Sequence, residues 1–387
     1  VAPTSHVYLD HHASTPLAVG VLDAMRASES EAWANASSVH AAGRRARALL
    51  DEARRAVAES VGAAPADVVL TSGGTEAVCT AILGAFAPAE IPSHLLTSAI
   101  EHPAVAESVS RLVARGAAVT TLALPDGVAP DVATFAAALR PDTSLVALQW
   151  VNHETGVILP VPAYAEVCRE RGIPLVVDAA QAVGKLPLAV ESLGVAALAW
   201  SASKIGGPHG AGAVWIARSR TPWPLLAGGG QERGRRPGTP DVRAAVGFGA
   251  ASRTLAARRS AMSNLAVLRD RLEAGLRVRG AVVNGAPPGG ERVATVSHVA
   301  FAGLRGDVLV AALDLEGVCV SSGAACASGL PAPSPGVRAM YPAEPWRADG
   351  ALRFSLGPET TDADVESALA ALDRVLARSG RATMQAR

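Results

Sequence analysis

The sequence predicts an α/β fold: a large unit on a mostly parallel central sheet flanked by helices, and a smaller α/β unit towards the C-terminal end. Three observations carry this expectation. Short apolar runs alternate with amphipathic stretches over the first two thirds of the chain. Several of those runs are continuous rather than alternating in polarity, as strands covered on both faces are. Near residue 250 the texture changes, and helix-like sequence leads into a short mixed tail. The 387 residues exceed what one ordinary core accommodates. Two units are therefore expected, one over 14–255 and one formed by 1–13 together with 256–387.

Residues 41–61 place Ala46, Leu49, Leu50, Ala53, Val57 and Val61 at helical spacing. Strands are expected at 68–72, 94–100, 117–124, 144–151, 174–179, 197–202 and 212–217. The stretches 76–87 and 160–172 read as crossover helices between them. Residues 245–280 read as one long helical stretch. Further strands are expected at 293–301, 317–323 and 351–357, and a closing helix at 362–380. The segment "NGAPPGGER" (284–292) carries the glycine and proline of a surface loop.

Composition bounds the function. Apolar residues make up 49% of the chain and charged residues 18%, with a formal net charge of zero. Such a chain builds a large core, and it lacks the clustered Lys and Arg by which proteins neutralise phosphates, so no nucleic-acid partner is expected. No apolar run approaches the ~18–20 residues of a membrane span, and "VAPTSHVYLDHHASTP" (1–16) has neither the basic nor the apolar region of a signal peptide. The four cysteines (Cys79, Cys168, Cys319, Cys326) form no CxxC pair, so neither a disulfide framework nor a zinc site is expected, and a cytoplasmic location is.

Three motifs point to chemistry. In "VVLTSGGTEAV" (68–78) a strand ends, Gly73 and Gly74 turn, and Thr75 opens a helix. Glycines let a backbone approach an anion, and a helix N-terminus offers unpaired N–H groups. A plain glycine turn capped by threonine would read the same way. In "SASKIGGPHGAG" (201–212) Lys204 follows an apolar strand, where a buried amine can form a Schiff base or a strand-end lysine can reach solvent. In "PLVVDAAQAVG" (174–184) a strand ends in Asp178, with Gln181 three residues on. Pyridoxal 5′-phosphate needs a carboxylate against its pyridinium nitrogen. Phosphate cradle, strand-end aspartate and lysine together suggest that cofactor.

The wording around these motifs, from "YLDHHASTP" (8–16) through "SGGTEA" (72–77), "SAIEHPAV" (98–105), "VNHETGVILPV" (151–161), "GGGQERGRRPGT" (228–239) and "SSGAACASG" (321–329) to "RFSLG" (353–357), resembles the cysteine desulfurases, in the class V aminotransferase branch of fold-type I pyridoxal-phosphate enzymes. The resemblance covers nearly the whole chain, with its blocks in family order. It implies an aminotransferase-like large domain. Position by position, it makes Lys204 the covalent anchor of the cofactor, Asp178 the partner of the pyridine nitrogen and Gln181 that of the ring hydroxyl. His102 would stack on the ring and carry protons. Gly74, Thr75, Ser201 and Ser203 would lie at the phosphate, and Thr239 would reach it across a homodimer interface. Asn35, Asn152 and Arg353 would lie near the substrate, with Arg353 on its α-carboxylate, a task that suits a planar guanidinium.

Cys326 matches the nucleophile. The implied reaction converts L-cysteine to L-alanine, leaves a persulfide on Cys326 and passes the sulfur to an acceptor protein. "SSGAAC" fits the branch with the longer cysteine loop, and "ASGLPAPSPG" (327–336) reads as its arm. Cys79, Cys168 and Cys319 read as packing cysteines. Four positions depart from the family pattern: Ser203 stands where histidine is usual, His11-His12 where Asn-Asn is, Ala34-Asn35-Ala36 where Gly-Asn-Pro is, and His153 where asparagine is common. Adjacent side chains on an extended segment point to opposite faces, so His11-His12 is not expected to bind metal. A related C–S lyase acting on a modified cysteine is the nearest alternative, but it needs no thiol nucleophile. An inactive scaffold relative would have lost Lys204 or Asp178, and both are present.

Overall fold

A computed structural model of the chain describes residues 6–287, 290–323 and 333–385, with side chains as far as 378. Among the described residues the strands are, in chain order, β1 (Val7–Tyr8), β2 (Val68–Thr71), β3 (His94–Ser98), β4 (Ala118–Leu122), β5 (Thr143–Gln149), β6 (Leu175–Asp178), β7 (Ala197–Ser201), β8 (Gly212–Ile216), β9 (Val282–Asn284), β10 (Val296–Ala300), β11 (Val318–Cys319) and β12 (Ala351–Ser355).

A seven-stranded sheet has the order β2-β8-β7-β6-β5-β3-β4. Only β8 runs against its neighbours, and the other pairs are parallel. Successive side chains alternate between two apolar layers, as the pleat dictates. Val146, Leu148, Val177, Leu198 and Trp200 face one layer with Tyr164 and Phe248. Leu145, Ala147, Val176, Ala199 and Val214 face the other with Ile82, Val105 and Leu112. This double covering is why the runs read as continuously apolar. The edge strand β4 is the exception, with Ala118 and Val119 exposed.

A smaller antiparallel sheet has the order β12-β10-β9. The N-terminal strand β1 lies outside the large sheet and pairs in parallel with β11, Val7 opposite Val318. Leu9 accordingly packs with Leu265, Leu313, Phe354 and Leu372 in a third apolar cluster. Val296, Val337 and Met340 join the larger cluster instead, so part of the C-terminal third closes over the large sheet.

The expected long helix over 245–280 is three helices, Val242–Ser252, Leu255–Ser260 and Met262–Val278. The first break falls at Thr254, whose hydroxyl donates to Ala251 O at 2.7 Å and takes the carbonyl from the helix ladder. The expected strand at 317–323 is only the two residues of β11. The helices Val21–Ala32, Pro103–Ala114 and Gly306–Leu315 were not among the sequence expectations.

One buried ion pair fixes the edge of the large sheet. Arg54, on the helix Ala41–Glu59, grips Glu232 with two N–H···O bonds of 2.5 and 2.6 Å. Glu232 also accepts from Leu70 N–H at 3.1 Å, and Glu232 and Arg233 take up left-handed φ values of 50 and 58° to allow it. Arg54→Met would leave a buried carboxylate without its partner. It should lower the unfolding free energy by about 3 kcal/mol or more, read as a drop in the urea midpoint. An unchanged midpoint would show that the pair contributes nothing.

Candidate active site

The parallel strands β2, β3, β5, β6 and β7 end on one edge of the sheet, and the residues that follow them surround a cavity of ≈ 480 Å³. After β2 the chain turns at Gly73 and enters the helix Gly74–Ile82. A Cβ added at Gly74 would lie 3.1 Å from Ser201 Cβ, so the turn is seated directly on the end of β7. At Gly212 an added Cβ would lie 2.4 Å from Gly73 C, so only glycine lets β8 pass beneath the turn. The helix therefore presents its first N–H groups and Thr75 to the cavity, where an anion is favoured.

After β7 a short 3₁₀ turn, Ala202–Lys204, lifts Lys204 to the cavity. Its Nζ donates to His12 O at 2.9 Å and to Ala13 O. Ser201 and Ser203 face each other with Oγ atoms 3.1 Å apart. Asp178 ends β6, is buried, and accepts from Ala180 N–H at 2.9 Å. The Gln181 amide donates to His12 O at 3.0 Å and accepts from Lys185 Nζ.

His102 caps the helix Pro103–Ala114, its Nδ1 accepting from Ala104 N–H at 3.1 Å. In the neutral ring the proton therefore sits on Nε2. The ring meets His153 edge to face, with centroids 5.1 Å apart. Arg353, on β12, is buried. It donates from Nη2 to Asp10 at 2.8 Å and from Nη1 to the His153 carbonyl at 3.1 Å, and its Nε has no partner among the described residues. His12 links the same groups. Its Nδ1 bonds the His153 carbonyl at 3.1 Å, which can only accept, so its Nε2 accepts from Thr295 at 2.9 Å. Burial holds His12 well below the usual imidazole range, so it stays neutral.

Two buried carboxyls near the cavity are driven in opposite directions. Glu101 is pushed up to about 8 by burial, with the charge of Asp178 adding to it. For Glu154 burial alone would also act upward. The hydrogen bond and charge of His153, with His298, overcome it and hold Glu154 at about 2.

The cavity thus gathers Gly74, Thr75, His102, Asp178, Gln181, Ser201, Ser203, Lys204 and Arg353. Three expected site residues lie elsewhere. The Asn152 amide is buried and spent on the backbone, donating to Ile100 O at 2.9 Å and accepting from Thr155 N–H at 2.7 Å. Asn35 is exposed and caps Ser37 N–H. Thr239 lines a separate cavity of ≈ 140 Å³ with Glu232 and Arg236. Cys326 lies outside the described residues, as does the start of the 327–336 arm. Of the three cysteines read as packing residues, Cys168 is buried, its thiol pushed up to about 12 by burial. Cys79 instead lines the cavity, 3.4 Å from Ser108 Oγ.

Comparison with known proteins extends this picture. The family model Aminotransferase class-V matches residues 7–368. An IscS-like cysteine desulfurase of Mycobacterium tuberculosis is 40% identical, over 98% of this chain and 98% of its own length. A cysteine desulfurase of Cereibacter sphaeroides is 42% identical, over 96% and 95%. The chain belongs to the cysteine desulfurase family. Its fold is that of the family: a solved NifS-like protein superposes with a TM-score of 0.88 at 29% identity, covering 96% of this chain and 99% of that one. A solved structure described as SspA in complex with cysteine superposes at 0.77 with 30% identity, covering 92% and 99%.

Pyridoxal 5′-phosphate is the cofactor of this family and of this chain. The residues present fit it. A glycine-floored helix N-terminus suits a phosphate, a buried carboxylate suits a ring nitrogen, and an amine faces the same space.

Glu101 yields a pH-dependent prediction. Its folded value of about 8 lies above its ordinary 4.5, so between the two the folded chain holds a proton that the unfolded chain has released. Its contribution to stability is therefore fullest below the lower value and is lost as pH rises through the upper one. A carboxylic-acid infrared band should bleach with a midpoint near 8 and be missing in Glu101→Gln. A band already gone at about pH 6 would contradict the assignment.

Proposed function

We propose that this cavity converts L-cysteine to L-alanine and delivers the sulfur to Cys326. The supporting observation is the convergence of Lys204, Asp178, Gln181 and the Gly74–Thr75 turn on one space that Arg353 also borders. When bound, pyridoxal phosphate supplies an electron sink for the α-carbon of an amino acid. In this reading the helix N-terminus at Gly74, with Thr75, Ser201 and Ser203, holds the phosphate. Asp178 would meet the ring nitrogen and favour its protonated form. Gln181 would hold the ring hydroxyl, and His102 would lie beside the ring. Lys204 would anchor the cofactor, and its amine, which faces the same space, would carry the α-proton of the substrate. Arg353 receives the substrate carboxylate through donors that Asp10 and His153 leave unused.

The sulfur step is assigned to Cys326 by sequence. Its thiolate attacks the substrate sulfur, an S–S bond forms and the substrate Cβ–S bond breaks. The carbon gains a proton to become the methyl group of alanine, and a persulfide stays on the protein. A protein of unidentified kind then accepts the sulfur.

Thr239 stands outside the cavity of its own chain, which suits a homodimer in which each copy supplies it to the other. Leu9 packs with the C-terminal cluster, which suits a small unit of 1–13 and 256–387 beside a large one of 14–255. Among the described residues no helix is long and apolar enough to cross a membrane, and a cytoplasmic location is part of this reading.

Loaded protein given L-cysteine and a reductant should form alanine and sulfide in equal amounts. Cys326→Ala should reduce both by about 100-fold or more. If Cys326→Ala leaves both unchanged, the chain is a C–S lyase and the desulfurase reading fails. Lys204→Ala should lose the visible absorbance of lysine-linked cofactor together with activity. Arg353→Lys, which cannot bind a carboxylate through two parallel bonds, should raise KM for L-cysteine roughly tenfold or more with a smaller effect on kcat.

A further inference from the structure

The chain that follows β6 coils back on itself. The Ala182 and Val183 N–H groups donate to the Ala179 carbonyl at 2.9 and 3.0 Å, and those of Lys185 and Leu186 donate to the Ala182 carbonyl at 3.0 and 2.9 Å. Gly184 completes the turn with a left-handed φ of 79°, and a Cβ there would lie 3.0 Å from Leu255 Cδ2. Such a coil sets residues four apart over one another. The Lys185 amine thereby returns to the Gln181 side chain and donates to its Oε1. Among the described residues this is the amine's one hydrogen bond. The charged groups that act on it, Arg258, Lys204 and Arg353, are all cations, so the lysine does not serve an ion pair.

Gln181 is buried, and the two ends of its amide meet different kinds of group. The His12 carbonyl can only accept, so the amide nitrogen faces it at 3.0 Å and Oε1 faces Lys185. A flipped amide would set one carbonyl oxygen against another. The His12 carbonyl also takes Lys204 Nζ at 2.9 Å, which occupies both of its lone pairs. The amide nitrogen keeps a second N–H that has no partner among the described residues, and Gln181 lines the large cavity. Gln181 therefore offers that cavity a donor and not an acceptor. Among the described residues Lys185 alone donates to Oε1.

We propose that Lys185 is a positioning residue: it ties down the Gln181 amide so that the remaining N–H serves the cofactor space. The inference rests on the reading that Gln181 meets the ring hydroxyl. A donor at that place favours the ionised form of the hydroxyl, and an acceptor would oppose it. Without Lys185 the buried Oε1 has no donor, and a buried acceptor left unpaired is costly. The amide is then held at one end only, by His12, and is free to turn away in search of a partner. The role does not depend on the charge of Lys185, because an amine donates in either form. Nor does it depend on the sulfur chemistry.

A double-mutant cycle on the loaded protein separates this role from simple packing. Gln181→Met should raise the dissociation constant of pyridoxal 5′-phosphate, read from the cofactor released on dilution, and displace the visible absorbance maximum of lysine-linked cofactor. Lys185→Met should raise the same constant about fivefold. In the Gln181→Met background it should add neither a further rise nor a further displacement. Should Lys185→Met fail to fold, Lys185→Ala replaces it in the cycle. Effects that add would show that Lys185 acts by another route and would overturn the proposal. So would an unchanged constant in Lys185→Met beside a raised one in Gln181→Met. An unchanged constant in Gln181→Met would instead overturn the reading of Gln181 itself, and the proposal with it.

Discussion

The shared direction of β3, β5, β6, β7 and β2 is the constraint on which the site depends. Parallel strands deliver their following residues to one edge, and there the chain places a glycine turn, a histidine cap, an aspartate and a lysine. Each arrives from a different crossover. The ligand site of such a sheet lies outside the carboxyl ends of its strands. The single reversed strand, β8, does not break the arrangement. It passes so close under the glycine turn that a Cβ at Gly212 would lie 2.4 Å from Gly73 C, which keeps the anion-facing helix level with the end of β7.

A second constraint joins the two sheets. Residues 10–13 run between them as a strap, and its carbonyls are acceptors for groups that follow the strands of the large sheet: His12 O takes Lys204 and Gln181, and Ala13 O takes Lys204. Its side chains serve the smaller sheet, with Asp10 on Arg353 and His12 on Thr295. The group assigned to the substrate carboxylate and the groups assigned to the cofactor are thus indexed to one short segment. Arg353 and His12 both end on the carbonyl of His153, so a shift at the His102–His153 contact reaches both sheets.

Much of this was legible in the sequence, for a physical reason. Gly73-Gly74, Asp178 and Lys204 sit at strand ends, where residue type alone betrays an unusual backbone or a charge beside a buried run. Other features are made by tertiary contact and leave no local mark. Lys185 lies in "VGKLPL" like any exposed lysine, yet it holds Gln181 and faces Arg258. Glu101 reads as one charge before a helix cap, and only pairing of β5 with β6 brings Asp178 close enough to act on it. Cys79, at helical spacing in an apolar stretch, reads as core because nothing local tells a cavity wall from a packed interior. The break at Thr254 was hidden because the apolar pattern continues across it while one hydroxyl diverts a carbonyl.

The electrostatics of the edge follow from which neighbour each buried acid meets. Burial is the main cause that raises Glu101, and the nearby Asp178 adds to it. Among the described residues its oxygens have the Ser98 hydroxyl and the Gln149 N–H for support, and no cation acts on it. Glu154 has His153 and His298 beside it and keeps its charge. Glu101, raised to about 8, is thus a neutral acid that does not compete with Asp178 for the role proposed for it. The cations gather at the opposite side, around Lys204, Lys185, Arg258 and Arg353. A site that takes in a phosphate and an amino-acid carboxylate needs that polarity, and the chain builds it by neutralising a carboxyl as much as by adding cations.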